Sequence, residues 1–210
     1  MTPPTSRWEL GVLWILSKDG MLVIPLMTNE LREFRAPQTM TTEELGDTLA
    51  RLVWESFTDF LALEDVETPI PRSAVLRRED GVPDDQVAEE ALIFFMWAHT
   101  RGAQLAFLGR ARDQTIRRGL DALHRAVFDD MVRHGTPRVQ LPIFEQRVSA
   151  RYAEYHQAAA ESDGRLGEAV SRHLAGASTD SHPLAEGLTE RAIAVANPLR
   201  DFLEDVKLLD

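Results

Sequence analysis

Four histidines, His99, His124, His156 and His173, fall on four separate predicted helices, and a metal ion is the first chemistry such a set suggests. Helical bundles commonly hold ions with imidazole and carboxylate ligands projecting inward, and di-iron bundles use a Glu and a His three residues apart on each of two helices. That pair is missing here. The nearest forms are Asp121 with His124 and Asp130 with His134, both on one helix, where the spacing puts each pair on a common face. The terminal position of Asp130 and His134 makes helix-end electrostatics a sufficient reason for them. The expectation is no metal site and no cofactor; if an ion were bound, His99, His124, His156 and His173 would be its ligands.

Other chemistries fare worse. There is no G-x-S-x-G, no cysteine and no serine beside a histidine at a strand end, which leaves nucleophilic hydrolysis without a constellation. The glycines form neither G-x-G-x-x-G nor G-x-x-x-x-G-K, so no phosphate cradle is written in the chain. Paired carboxylates occur at Glu43–Glu44, Asp84–Asp85, Glu89–Glu90 and Asp129–Asp130; three of these pairs sit at helix starts, where negative charge suits the dipole, and they read as a solvated face. No catalytic residue is assigned.

Two patches suit a binding partner better than a substrate. Arg110, Arg112, Arg117 and Arg118 gather around a helix start and oppose the net charge of the chain, as a site for an acidic partner would. Arg117 and Arg118 lie off the apolar stripe, so they equally read as the solvent side of that helix. Phe144, Arg147, Val148, Arg151, Tyr152 and Tyr155 recur at helical spacing and set two arginines beside an aromatic ridge. Tyrosine and arginine are enriched where partners bind. The competing reading puts both tyrosines in the core and pairs the arginines with Glu145 or Glu154.

Residues from about 120 to 176 resemble the ubiquinol–cytochrome c chaperone family, in LDALHRAVFDDM on one helix, RVSARYAEY on the next and GRLGEAVSRHLAG on a third. Residues 1 to 85 show nothing of that family. The resemblance implies a helical protein that holds another polypeptide, not an enzyme.

These side chains need helices to position them, and the periodicity supplies six to eight. Ser6 and Glu9 form a capping-box pattern and Gly20 is a natural stop, which favours a helix from about 7 to 18 followed by an extended segment. The alternation of Trp8, Leu10, Val12, Trp14 and Leu16 before SKDG and MLVIPLM also supports a hairpin, with Pro25 at an edge or bulge. Thr28 and Asn29 can cap a short helix reaching Arg35. Thr41 and Glu44 open a helix that runs to about Leu63, and 64 to 84 is a long connecting loop carrying prolines and no sustained period. The next helix, about 86 to 109, is apolar all round from Leu92 to Trp97, as a helix surrounded by others is. Helices follow from Asp113 to a Gly135 cap, from Pro142 to SDG, from an Asp163 cap to Gly176, and from Leu184 to Ala196. Asn197–Pro198 then either kinks the last helix or caps a fresh one.

The fold class is therefore all-α: a bundle of six to eight helices around a central apolar helix at about 86–109, with a small extended or hairpin element near the N-terminus. Residues 1–210 read as a single helical domain and 1–36 as a possible appendage. Composition is ordinary for a globular chain of 210 residues, 44% hydrophobic and 27% charged. A net charge of −11 opposes binding to nucleic acid, and a helix-turn-helix regulator would have only Arg110 to Arg118 for its recognition helix. No apolar run reaches the roughly 17 to 25 residues that span a bilayer. The lack of cysteine and of a secretion signal suits the cytoplasm. The reading that follows is a non-enzymatic cytosolic protein acting through contacts with a protein partner or a second copy. The alternative is a metal- or small-ligand-binding helical enzyme using its histidines and carboxylates.

Overall fold

The computed structural model describes residues 12–17, 20–25, 39–62, 85–175 and 182–209. The chain divides into two compact units, Met1–Arg35 and Ala36–Asp210. In the first, β1 (Val12–Ser17) pairs antiparallel with β2 (Gly20–Pro25), in a register that sets Trp14 opposite Val23 and Ser17 opposite Gly20. This corrects the favoured helix over residues 12–17. Period-2 alternation and a β-rich second strand outweigh a capping pattern, because the cap acts only at the helix end whereas the ladder forms along the whole segment. Pro25 is tolerated because it ends its strand, opposite Val12. The expected helix from 28 to 35 and the connection 64–84 lie outside the described residues.

The second unit is an all-α bundle. Its helices are α1 (Thr42–Ala62), α2 (Asp85–Phe107), α3 (Asp113–Arg133), α4 (Leu141–Glu161), α5 (Asp163–Ala175) and α6 (His182–Glu204), with a 3-10 turn at Arg138–Gln140 leading into α4. A short parallel pair, β3 (Thr39–Met40) with β4 (Lys207–Leu208), brings the end of the chain to the start of α1. The Leu209 amide donates to the Met40 carbonyl at 2.8 Å and extends that pairing.

Local signals explain the helix limits. Thr41 and Glu44 form the reciprocal capping box: the Thr41 amide donates to Glu44 Oε2 at 2.8 Å and the Glu44 amide to Thr41 Oγ1 at 3.2 Å. At the end of α3, Gly135 takes φ +107° and the Thr136 amide returns to the Met131 carbonyl at 2.9 Å, a left-handed cap. At α5 the capping side chain is Ser162, whose Oγ accepts from the Arg165 amide at 3.2 Å; Asp163, the expected cap, is the first helical residue instead. Helix α6 runs through Pro198 to Glu204 as one element, so no fresh helix starts there.

Helix α2 is the centre. Ala91 through Thr100 are all buried, and α2 packs against each of the other five helices, which is why its sequence shows no polar face. Two close crossings set the outer pairs. A Cβ on Gly46 of α1 would strike Ala122 and lie 2.7 Å from the Leu123 amide of α3, and one on Gly167 of α5 would strike the Ala185 carbonyl of α6.

Candidate functional site

The candidate residues of α4 face the core, not solvent. Pro142 fits the first turn of α4, and the 3.6-residue period then turns Phe144, Val148 and Tyr155 inward, where all three are buried. Arg147 and Arg151, one turn apart, reach α2. Arg147 pairs with Glu89, and Arg151 closes its guanidinium fork on Glu90, Nε to Oε2 at 2.7 Å and Nη2 to Oε1 at 2.8 Å. These partners correct the expectation of Glu145 or Glu154. They also correct the solvated reading of Glu89–Glu90, because Glu90 is 1% exposed. A carboxylate so deep needs a bidentate cation, and arginine supplies two parallel donors. Hydrogen bonds to Glu90 hold the Arg151 guanidinium further above its ordinary range, the direction expected of a paired cation.

Tyr152 lies where α2, α3 and α4 meet. Its hydroxyl is 3.0 Å from His124 Nε2 and 3.3 Å from Thr100 Oγ1. Rings continue outward from it: His124 at 5.5 Å and His156 at 6.3 Å between centroids. His156 meets Trp97 at 5.6 Å, Trp97 meets Tyr155 at 6.0 Å, and Tyr155 meets His173 of α5 at 6.2 Å. His173 Nε2 is 2.7 Å from Glu154 Oε2, and Arg172 holds the other oxygen of that carboxylate at 2.9 Å. The ladder of six rings thus ties α3, α4, α2 and α5 together.

Burial favours the neutral form of four of these rings, His124, Tyr152, Tyr155 and His156. Burial lowers the His124 imidazole, against a weaker opposing effect of Asp121, and burial with the Arg101 charge lowers His156. Burial pushes both the Tyr152 and Tyr155 hydroxyls up, so neither phenol ionises near neutrality. His99 stands apart on α2: its Nδ1 is 2.8 Å from the Phe95 carbonyl and burial drives it down to about 4. A carbonyl only accepts, so Nδ1 carries the proton.

His124, His156 and His173 are therefore linked only through the intervening Tyr152, Trp97 and Tyr155 rings, and His99 stands apart from all three. Among the described residues, no three His, Asp or Glu side chains are gathered as a metal ion's ligands would be. Arg117 and Arg118 are exposed on α3, consistent with the solvent side of that helix. Arg110, from the same basic stretch, is an internal fastener. It donates to the Ala106, Leu203 and Val206 carbonyls at 2.8, 3.1 and 3.1 Å, and to that of Glu204, satisfying the free carbonyls at the end of α6.

A polar groove of about 260 Å³ lies between α4 and α5, lined by Glu154, Gln157, Glu161, Arg165, Glu168 and Arg172. Its charges meet one another: Arg165 bonds Glu168 at 2.7 Å and lies 3.9 Å from Glu161, while Arg172 holds Glu154. The exposed apolar side chains are elsewhere. Val139 of the 3-10 turn and Ile143 of α4, four residues apart, are 83% and 62% exposed.

Sequence reasoning missed Thr100, Trp97 and Glu90 as members of the ladder and its anchor. Glu90 carried a signal, since it directly precedes the run Ala91 to Ala98 that is apolar on every side. Comparisons with models of known protein families, with curated proteins and with solved structures find no match, and nothing in that result supports the resemblance of residues 120–176.

Proposed function

We propose that this chain is a non-enzymatic cytosolic protein that works by protein–protein contact, binding, scaffolding or assembling a partner protein or a second copy of itself. The observation that carries the reading is the contrast at the start of α4. Phe144, Arg147 and Arg151 turn inward to hold the bundle, while Val139 and Ile143 stand out in solvent next to them. Single exposed aliphatics are ordinary, but two of this exposure four residues apart give a partner an apolar anchor. No helix among the described residues is long and apolar enough to cross a membrane, which suits contacts made in solution.

The test is native co-purification of wild-type chain and of a Val139→Asp/Ile143→Asp variant, with quantification of every protein retained. A stoichiometric species, foreign or self, that the variant loses while its thermal unfolding stays unchanged is the expected result. A stoichiometric transition metal in purified protein, lost when His124 and His156 are both replaced by Gln, would overturn it in favour of a metal-dependent enzyme.

A further inference from the structure

The end of the chain beyond α6 is held differently from the helices. Of residues 205–209 only Val206 is fully buried; Asp205 and Lys207 are exposed, Leu208 is half-buried and Leu209 is 38% exposed. Fixing five residues costs backbone freedom at each, and one buried side chain offsets little of that. Main-chain pairing adds a parallel ladder of two residues a side, Thr39 with Lys207 and Met40 with Leu208, extended by the Leu209 amide. A turn joins it to α6, with the Val206 amide donating to the Leu203 carbonyl at 3.1 Å. Two strands of that length are marginal by themselves.

Arg110 adds the hold that the ladder lacks. It lies on the turn after α2, where Gly109 takes φ +71° and the Arg110 amide returns to the Phe107 carbonyl at 2.9 Å. Its guanidinium stands 5.7 Å from the Phe107 ring centroid and spreads its donors across the junction. Nη1 bonds the carbonyls of Ala106 on α2 and Leu203 on α6, while Nη2 bonds those of Glu204 and Val206, on either side of the point where α6 ends. A planar fork can reach four acceptors at once; the three donors of a lysine leave from a single nitrogen. We infer that residues 205–209 form a strap latched by Arg110, which opens as a unit while the six helices stay folded and so bares Val206, Met40 and the pairing edge of β3. Local opening belongs to segments with few buried apolar contacts and hydrogen bonds near solvent, and this one has both features. Because the latch is seated on the α2–α3 turn, it couples the end of the central helix to the end of the chain.

The chain contains no cysteine, so a single buried thiol reports the opening. Val206→Cys in the full chain, treated with a maleimide in native buffer, should label about tenfold faster than Val127→Cys, the same substitution at a fully buried position of α3 that only global unfolding uncovers. Adding Arg110→Lys should speed labelling at Val206→Cys by about a further tenfold and leave Val127→Cys unchanged, because the ammonium gives up some of the charge-assisted bonds to the four carbonyls. Arg200→Ala, which removes an exposed ion pair with Asp201 late in α6, is the control and should change neither rate. Equal labelling of the two thiols without Arg110→Lys would overturn the inference, since the strap would then unfold only with the whole molecule. A Val206→Cys rate indifferent to Arg110→Lys, or one raised equally at both thiols, would overturn Arg110 as the latch. Hydrogen exchange of the unsubstituted chain decides the opening without any variant: the Val206 and Leu209 amides should exchange faster than those in the middle of α3, and matched protection would sink the strap.

Discussion

At the residue scale, the two tyrosines of α4 make opposite predictions from the same substitution. The Tyr152 hydroxyl bonds His124 and Thr100, so Tyr152→Phe strands a buried imidazole nitrogen and should cost about 1–2 kcal/mol in urea unfolding. The Tyr155 hydroxyl is buried with no hydrogen-bond partner, so Tyr155→Phe removes a desolvated group and should leave stability level or raised. Equal losses for both would show that packing of the rings, not the hydroxyl bonds, governs them. Glu90 gives a third case: Glu90→Gln weakens a charge-assisted pair between a buried carboxylate and a part-buried guanidinium and should cost about 2 kcal/mol, whereas Glu90→Met with Arg151→Met should recover most of that loss, as measured by the urea midpoint. The residue types of this cluster were legible in the sequence, because Arg147, Arg151, Tyr152 and Tyr155 stand at helical spacing. Their partners were not. Glu145 and Glu154 are near along the chain, but the pairing was decided by how α4 docks on α2, which places Glu89 and Glu90 about sixty residues away within reach.

At the element scale, legibility followed the length over which a signal repeats. Helices α1, α3 and α4 carry an apolar period for twenty-one residues and α2 a continuous apolar run at its centre, and the observed spans of all four match the expected ones within a few positions. The N-terminal strand was misread because six residues hold less than two turns of helix, too few for periodicity to outvote a capping pattern. Glycine roles were also hidden, since close approach of two helices leaves no mark in either sequence. Gly46 and Gly167 are where α1 meets α3 and α5 meets α6, so Gly46→Ala and Gly167→Ala should each cost about 1–3 kcal/mol by calorimetry, despite alanine's better helix propensity. Gly164→Ala is the control: its Cβ would meet only Ser162 Oγ at 4.0 Å, so it should be neutral or mildly stabilising. A loss at Gly164 equal to that at Gly167 would show that backbone freedom, not helix contact, is what these glycines provide.

For the molecule as a whole, the neutral core sets how stability responds to acid. His99, His124 and His156 all have folded values below the ordinary 6.5, with burial the leading cause in each. The unfolded chain therefore takes up protons first as pH falls. The contribution of these groups is complete above 6.5, declines as pH drops below it, and for His99 is used up near its folded value of about 4. That decline amounts to roughly 3 kcal/mol for His99 alone. Glu154, hydrogen-bonded by His173 and Arg172 and lowered below 4.5, adds a further decline only under its unfolded value, so the two sets are separated along the pH axis. Protonating carboxylates on a chain of net charge −11 works in the other direction by relieving self-repulsion, but exposed charges are screened by salt while buried imidazoles are not. Urea midpoints taken from about pH 7 to about pH 4 at moderate salt should fall steadily, and His99→Gln should flatten the slope over that window. A midpoint that stays constant or climbs on acidification would mean that the imidazoles meet water in the native state. The ring ladder would then not be the closed interior that joins α2, α3, α4 and α5.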